Sequence, residues 1–271
     1  MNVFRRSFRK YGFVFALYLQ EGFALRSTFL MERFRSLIVL LSFYYFWTAL
    51  LAHRASFAGY DRTQIITYTL GINLLRGLVF ATRTDQIPAE INHGRVSAYL
   101  LRPMNFTLYT FVRDLSEKSI NLVSVVIEIT GLIWIFHMPI RWPHEALTWL
   151  WFALSVGGAV ALFFYLTFMV GCWGFWTAEA WGPRFLLELF LEFTAGAFFP
   201  IDVLAPALQT VLKMFPSPYL VFFPLNVFLE RLTPQQLARG FAMQLTWIVV
   251  AAVAAQTVWR RGLVVYSAQG G

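Results

Sequence analysis

From Leu147 to Trp173 the chain runs without one charged side chain. A helix needs about 20 apolar residues to cross ~30 Å of hydrocarbon, so this stretch alone points to a membrane. Five more windows are long and mostly apolar: Ser36–Ala52, Thr63–Ala81, Ser119–Met138, Phe185–Ile201 and Phe241–Trp259. Inside a bilayer each segment must satisfy its own backbone hydrogen bonds, which makes it a helix. Strands of a membrane barrel would instead alternate in short pieces. Composition agrees, because 58% of the residues are apolar and 13% charged, against roughly 45–50% and about 25% in soluble domains. The expected fold class is an all-α integral membrane protein with six transmembrane helices.

Charge sets the orientation. Fifteen of the 22 Lys and Arg fall on segments that share a side with the N-terminus, six fall on the other side, and Arg76 lies within the second window. The positive-inside rule then places both termini in the cytoplasm. A net charge of +8 would suggest nucleic acid in a soluble protein; here it reads as Lys and Arg facing anionic lipid, with no nucleic-acid partner. The single cysteine, Cys172, excludes an intramolecular disulfide and a Cys-based metal cluster. The N-terminal segment does not read as a signal peptide, since Gln20 and Glu21 break its apolar run and no small-residue cleavage site follows. Phe4, Phe8, Tyr11, Phe15 and Tyr18 recur at helical spacing opposite Arg5, Arg6, Arg9 and Lys10. That pattern predicts an interfacial helix within residues 1–35, or a plain topology anchor.

The whole chain, 1–271, reads as one transmembrane domain. Two connections exceed a turn. The inner one, 82–118, is polar and basic; the outer one, 202–240, is apolar but cut by Pro206, Pro216, Pro218, Pro224 and Pro234. No piece between those prolines is long enough to span, so two short re-entrant helices are expected, near Ala207–Phe215 and Tyr219–Glu230.

Enzyme signatures are missing. There is no phosphate-binding glycine loop, no H-E-x-x-H and no G-x-S-x-G turn, and the four histidines show no metal-ligand spacing. No catalytic or metal-binding residue is therefore assigned. Asn105-Phe-Thr107 fits a glycosylation pattern, but on a cytoplasmic segment it is a chance match.

Polar stripes inside the windows are the remaining candidates. Thr69, Asn73 and Arg76 share one helix face, Asn121, Ser124, Glu128 and Gly131 another, and Glu188, Glu192 and Ala195 a third. Charge in a bilayer interior costs at least ~2.5–3.5 kcal/mol, so these stripes should face protein or a water-filled path. Asn73, Asn121, Ser124, Glu128, Glu188 and Glu192 are accordingly candidates for a translocation path; interhelical hydrogen bonding is the alternative. Small residues at Ala153, Gly157 and Ala161, and at Ala251 and Ala255, read as helix-packing faces.

The inner loop is more specific. Pro88 marks a helix start and Gly94 a helix stop, with Ile87 and Ile91 on one side between them. Leu100 and Leu101 follow, flanked by Arg95 and Arg102 and closed by Pro103. Apolar side chains among charges on a short cytoplasmic helix suit docking to a soluble partner; a helix lying on the membrane surface is the alternative.

At these residues the sequence resembles the six-span bacterial membrane permeases of type-two ABC exporters. The likeness rests on Ile91, Gly94-Arg95-Val96 and Leu100-Leu101-Arg102-Pro103. It extends through Ala195-Gly196 to Pro200, Phe215-Pro216 to Pro224, and Trp259 to Gly262 with Tyr266 and Gly270-Gly271. The resemblance implies that the loop 82–118 couples to a partner, with a coupling helix around Pro88–Gly94, and that the chain sits in the bacterial cytoplasmic membrane. It further implies a second permease subunit, identical or sister, and two ABC ATP-binding subunits. ATP and magnesium would be held by those subunits, with no cofactor on this chain. The outer re-entrant helices would gate the exit. A proton-coupled secondary transporter using Glu128, Glu188 or Glu192 is the alternative from another class, although no inverted repeat supports it. A lipid-modifying membrane enzyme is a third, with no visible nucleophile or acid/base pair.

Overall fold

The computed structural model describes residues 2–22, 26–101 and 104–266, with side chains omitted at 2–8, 22 and 26–29. Its described residues are helical, joined by turns, with no strand. Helices α1 (Asn2–Gly22) and α2 (Arg26–Leu50) are followed by α3 (Arg62–Leu75), which continues as a π turn over Arg76–Phe80. Two short helices, α4 (Ile87–Asn92) and α5 (Val96–Leu100), precede α6 (Phe106–Phe136) and α7 (Ala146–Gly171). The rest comprises α8 (Trp181–Thr194), α9 (Pro206–Leu212), α10 (Phe222–Phe228) and α11 (Pro234–Val265).

Caps explain several boundaries. Asp61 and Gln64 form a capping box at α3, and Thr233 and Gln236 do so at α11, followed by Pro234 at the first helical position. Asn105 accepts from the Leu108 amide and starts α6, which gives the apparent glycosylation residue a local role. It also moves the helix start: residues 106–118, expected in the inner loop, are the first turns of α6.

Among the described residues, four stretches are long and apolar enough to cross a membrane: Arg62–Asn92, Phe106–Phe136, Ala146–Phe175 and Pro234–Val265. A fifth becomes possible if Pro206–Leu212 and Ser217–Phe228, bent by 78°, are one broken span. The window Phe185–Ile201 is not one helix. Its helix α8 has 14 residues and ends at Thr194, about 21 Å at 1.5 Å per residue. Gly196 then turns the chain with a φ of +81°, a backbone state that disfavours any side chain.

The stretches built on α3 and α7 lie mostly inside, while α6 and α11 leave much of their surface outward. Close approach of α7 and α11 comes at Gly158, where a Cβ would stand 2.6 Å from Gln244 Oε1. Gln244 donates to the carbonyls of Ser155 and Tyr219 at 2.8 and 3.1 Å. The expected packing stripe on α7 is therefore corrected: Ala153 and Gly157 are exposed, and the buried face runs through Ser155, Ala159 and Leu162. Gln244 is the reason, because its side chain fills the room that Gly158 leaves. Ala251 and Ala255 of α11 are buried, as their spacing predicts.

Helix α1 packs on the start of α6: Tyr18 and Tyr109 share a hydroxyl hydrogen bond of 2.6 Å, and the Asn105 amide donates to Tyr11. On the other end of the molecule, the Tyr60 hydroxyl donates to Asp202, and the Arg231 guanidinium stacks 3.7 Å above the Tyr60 ring. This cluster ties the start of α3 to the segments flanking α9 and α10.

Candidate functional site

A cavity of about 660 Å³ opens between α2, α3 with its π turn, α6 and α8. The π turn shapes one wall. Its loosened carbonyls at Val79 and Ala81 accept from the buried Lys118 ammonium of α6, at 2.9 Å for Val79. Gly77 lets α3 lie against α6, since a Cβ there would meet Val125 at 2.6 Å. Phe80 and Phe163 close the wall with ring centroids 4.9 Å apart.

Polar groups converge in the cavity. Ser36 donates to Asn73 Oδ1 at 2.8 Å, and the same hydroxyl lies 3.2 Å from Glu128 Oε1. Asn73 Nδ2 donates to Glu128 Oε1 at 3.3 Å, and Arg33 approaches Glu128 Oε2 to 3.9 Å. On the opposite side Arg76 pairs with Glu192 at 2.6 Å and lies 5.0 Å above the Phe198 ring. Glu188 is held by Arg184 at 2.7 Å. A carboxylate with a partnered charge is tolerable at membrane depth, where a bare one is not.

An ionic cluster joins this cavity to the loop carrying α4 and α5. Arg113 of α6 pairs with Glu90 of α4 and donates to the Arg83 carbonyl at 3.3 Å. The Arg83 amide donates to Asp114 at 2.9 Å and its side chain to Glu117 at 3.0 Å. Next along the loop, Thr84 accepts from Arg184 at 3.1 Å. Arg184 is the same residue that holds Glu188 in the cavity.

Helix α4 itself rests in a notch at the end of α7. A Cβ at Gly174 would stand 2.7 Å from Pro88 Cα, and one at Gly171 would lie 3.2 Å from Ile87 Cβ. Gly94, with φ +72°, ends the helix. No group of three or more metal-ligating side chains occurs among the described residues.

Residues 37–270 match the family described as ABC-2 family transporter protein. The chain belongs to the ABC-2 transporter family. No curated protein matches it. An ABC-2 family membrane protein is the permease component of an ABC transporter, a multi-pass transport component that associates with ATP-binding subunits.

Within this ABC-2 chain, Asn73, Asn121, Glu188 and Glu192 all line the cavity, while Glu128 does not line it and meets it only through its bonds with Ser36 and Asn73. Ser124 does not join them, because its hydroxyl bonds the Ile120 carbonyl of its own helix. In the loop, Arg95 is exposed, as are Leu100 and Leu101 at 49% and 88%. Ile87 and Ile91 are the correction: both are buried, because the Gly171 and Gly174 notch draws α4 against α7. They hold the loop to its own chain and are not free for a partner. Arg102 and Pro103 lie outside the described residues. Sequence reasoning missed Arg33, Ser36 and Phe198 in the cavity and the acid–base cluster below it. The glycines at 171 and 174, three apart at the end of an apolar run, were the available signal for the notch.

Proposed function

We propose that this chain is the permease subunit of an ATP-driven exporter and that the cavity between α2, α3, α6 and α8 is the inner part of its translocation path. The observation that carries this reading is the continuity of Arg83, Thr84, Arg184 and Glu188, which links the loop to the cavity wall. On this reading α2, α3, α6, α7 and α11 cross the bilayer, and α8 with residues 195–201 completes a sixth crossing. Both termini face the cytoplasm of a bacterial inner membrane, α1 lies at its inner face, and α9 and α10 form the outer re-entrant segment.

ATP-binding subunits would dock on Arg95, Leu100, Leu101 and the exposed side of α4, and a second permease subunit would complete the unit. ATP and magnesium bind to those partners. Closure of the ATP-binding pair would displace α4, since ATP shifts the equilibrium only through its differential affinity for the closed state. The proton-coupled alternative is weaker: Glu128, Glu188 and Glu192 are each already engaged by an arginine within 4 Å, and the sequence has no inverted repeat.

Two measurements test this. Purification under mild conditions should retain an ATP-binding subunit, and Leu101→Asp should release it; retention by both forms would move the docking site elsewhere. Single cysteines at exposed Glu145 and Ala98, with the buried Cys172 as a quiet background, should label from outside and inside respectively. Reversed labelling would invert the topology.

A further inference from the structure

The Arg76 side chain lies on the cavity wall. Its Nη2 lies 2.6 Å from a Glu192 oxygen, its Cζ lies 5.0 Å above the Phe198 ring, and its Nε is buried without a hydrogen-bond partner. Arg76 engages Glu192 through Nη2, and Arg76, Glu192 and Phe198 all line the cavity. A carboxylate next to an aromatic face is what an organic cation needs on leaving water, and a cation without N–H groups leaves no donor unmet there. The surroundings favour the same sign. On the wall, Glu117, Glu188 and Glu192 are matched by Arg83, Arg184 and Arg76, whereas Glu32 and Asp85 make no ion pair among the described residues, against one such arginine, Arg35. Phe80 and Phe163 add an apolar wall for the body of such a molecule.

We propose that Glu192 and Phe198 form a receptor for a lipophilic organic cation, and that Arg76 fills it as a resident cation while no substrate is bound. This rests on the transport reading, whose cavity it uses, and names the class of substrate. Substrate and Arg76 compete for one seat. The two partners of the ion pair therefore have opposite effects on binding, whereas a purely structural pair would impair the site from either side.

The experiment uses the full chain with its retained ATP-binding subunit in lipid nanodiscs and measures binding of tetraphenylphosphonium, with tetraphenylborate as an anion of the same shape. Wild type should hold the cation and not the anion. Glu192→Gln should weaken cation binding about tenfold, the value of one charged contact. Arg76→Gln should strengthen it by roughly threefold to tenfold, as removal of a competitor predicts. Phe198→Leu touches neither charge and should weaken binding roughly threefold to tenfold.

Weaker binding in Arg76→Gln, a preference for tetraphenylborate, or no binding of the cation by wild type would each overturn the proposal. Retention of the ATP-binding subunit is read in the same sample. Failure of cation binding with that subunit present removes the substrate class alone. Cation binding with the predicted variant pattern but no such subunit removes the ATP-driven reading and leaves the receptor.

Discussion

Glu90 on α4 and Arg113 on α6 meet in an ion pair whose side chains are only 7% and 1% exposed. Truncating one partner of such a pair strands a charge and costs about 3–5 kcal/mol. Glu90→Ala and Arg113→Ala should each lower thermal stability strongly, while an apolar replacement of both should recover most of it. The check is a double-mutant cycle on unfolding of the purified protein. Wild-type stability in either single variant would mean that water reaches the pair.

Ile91 and Leu101 should behave oppositely. Ile91 is buried against the end of α7, so Ile91→Asp should cost about 3 kcal/mol or more and lower the folded yield. Leu101 is exposed, so Leu101→Asp should leave stability within about 0.5 kcal/mol and act on the partner. Gly174→Ala should disturb α4 at a cost of about 1–3 kcal/mol, since its Cβ would enter the Pro88 backbone. Expression level and thermal unfolding, read beside partner retention, separate the three.

Glu128 can be tested against Glu145. Glu128 gathers Ser36, Asn73 and Arg33, whereas the Glu145 side chain is exposed. Glu128→Gln should lower transport by about tenfold, and Glu145→Gln should leave it unchanged. Equal rates in both variants would reduce Glu128 to a packing residue.

Glu230 predicts a dependence on pH. Burial by itself would push its carboxyl up, but the amides of Glu145 and His144 and the Thr148 hydroxyl donate to it and hold it below its ordinary 4.5. The folded value lies below the unfolded one. Its stabilisation is therefore complete above the unfolded value and fades as pH falls through the folded one. Glu230→Gln should cost about 1 kcal/mol near neutral pH and flatten the acid limb of the stability profile. An unchanged acid limb would show that these three bonds do not favour the charged carboxylate.

The apolar windows made the membrane class and most helices legible, because burial in lipid leaves a coarse signature spread over many residues. The π turn at Arg76–Phe80 and the stop at Thr194 were not, since both depend on neighbours far along the chain, such as Lys118. The stripe of Asn73 with the stripe of Glu128 was readable as polar, but their meeting through Ser36 required the fold. Ile91 misled for a related reason: apolar residues in a polar loop suggest a foreign partner until a glycine notch in the same chain turns up beneath them.

That notch sits at one end of α7, and Glu230 secures the other. The 26 residues of α7 make a stiff rod of about 39 Å. Pro88 in the notch and the Glu230 corner, next along the chain to the Arg231 that covers Tyr60, are thus joined through a single helix, with Gln244 packed against its middle.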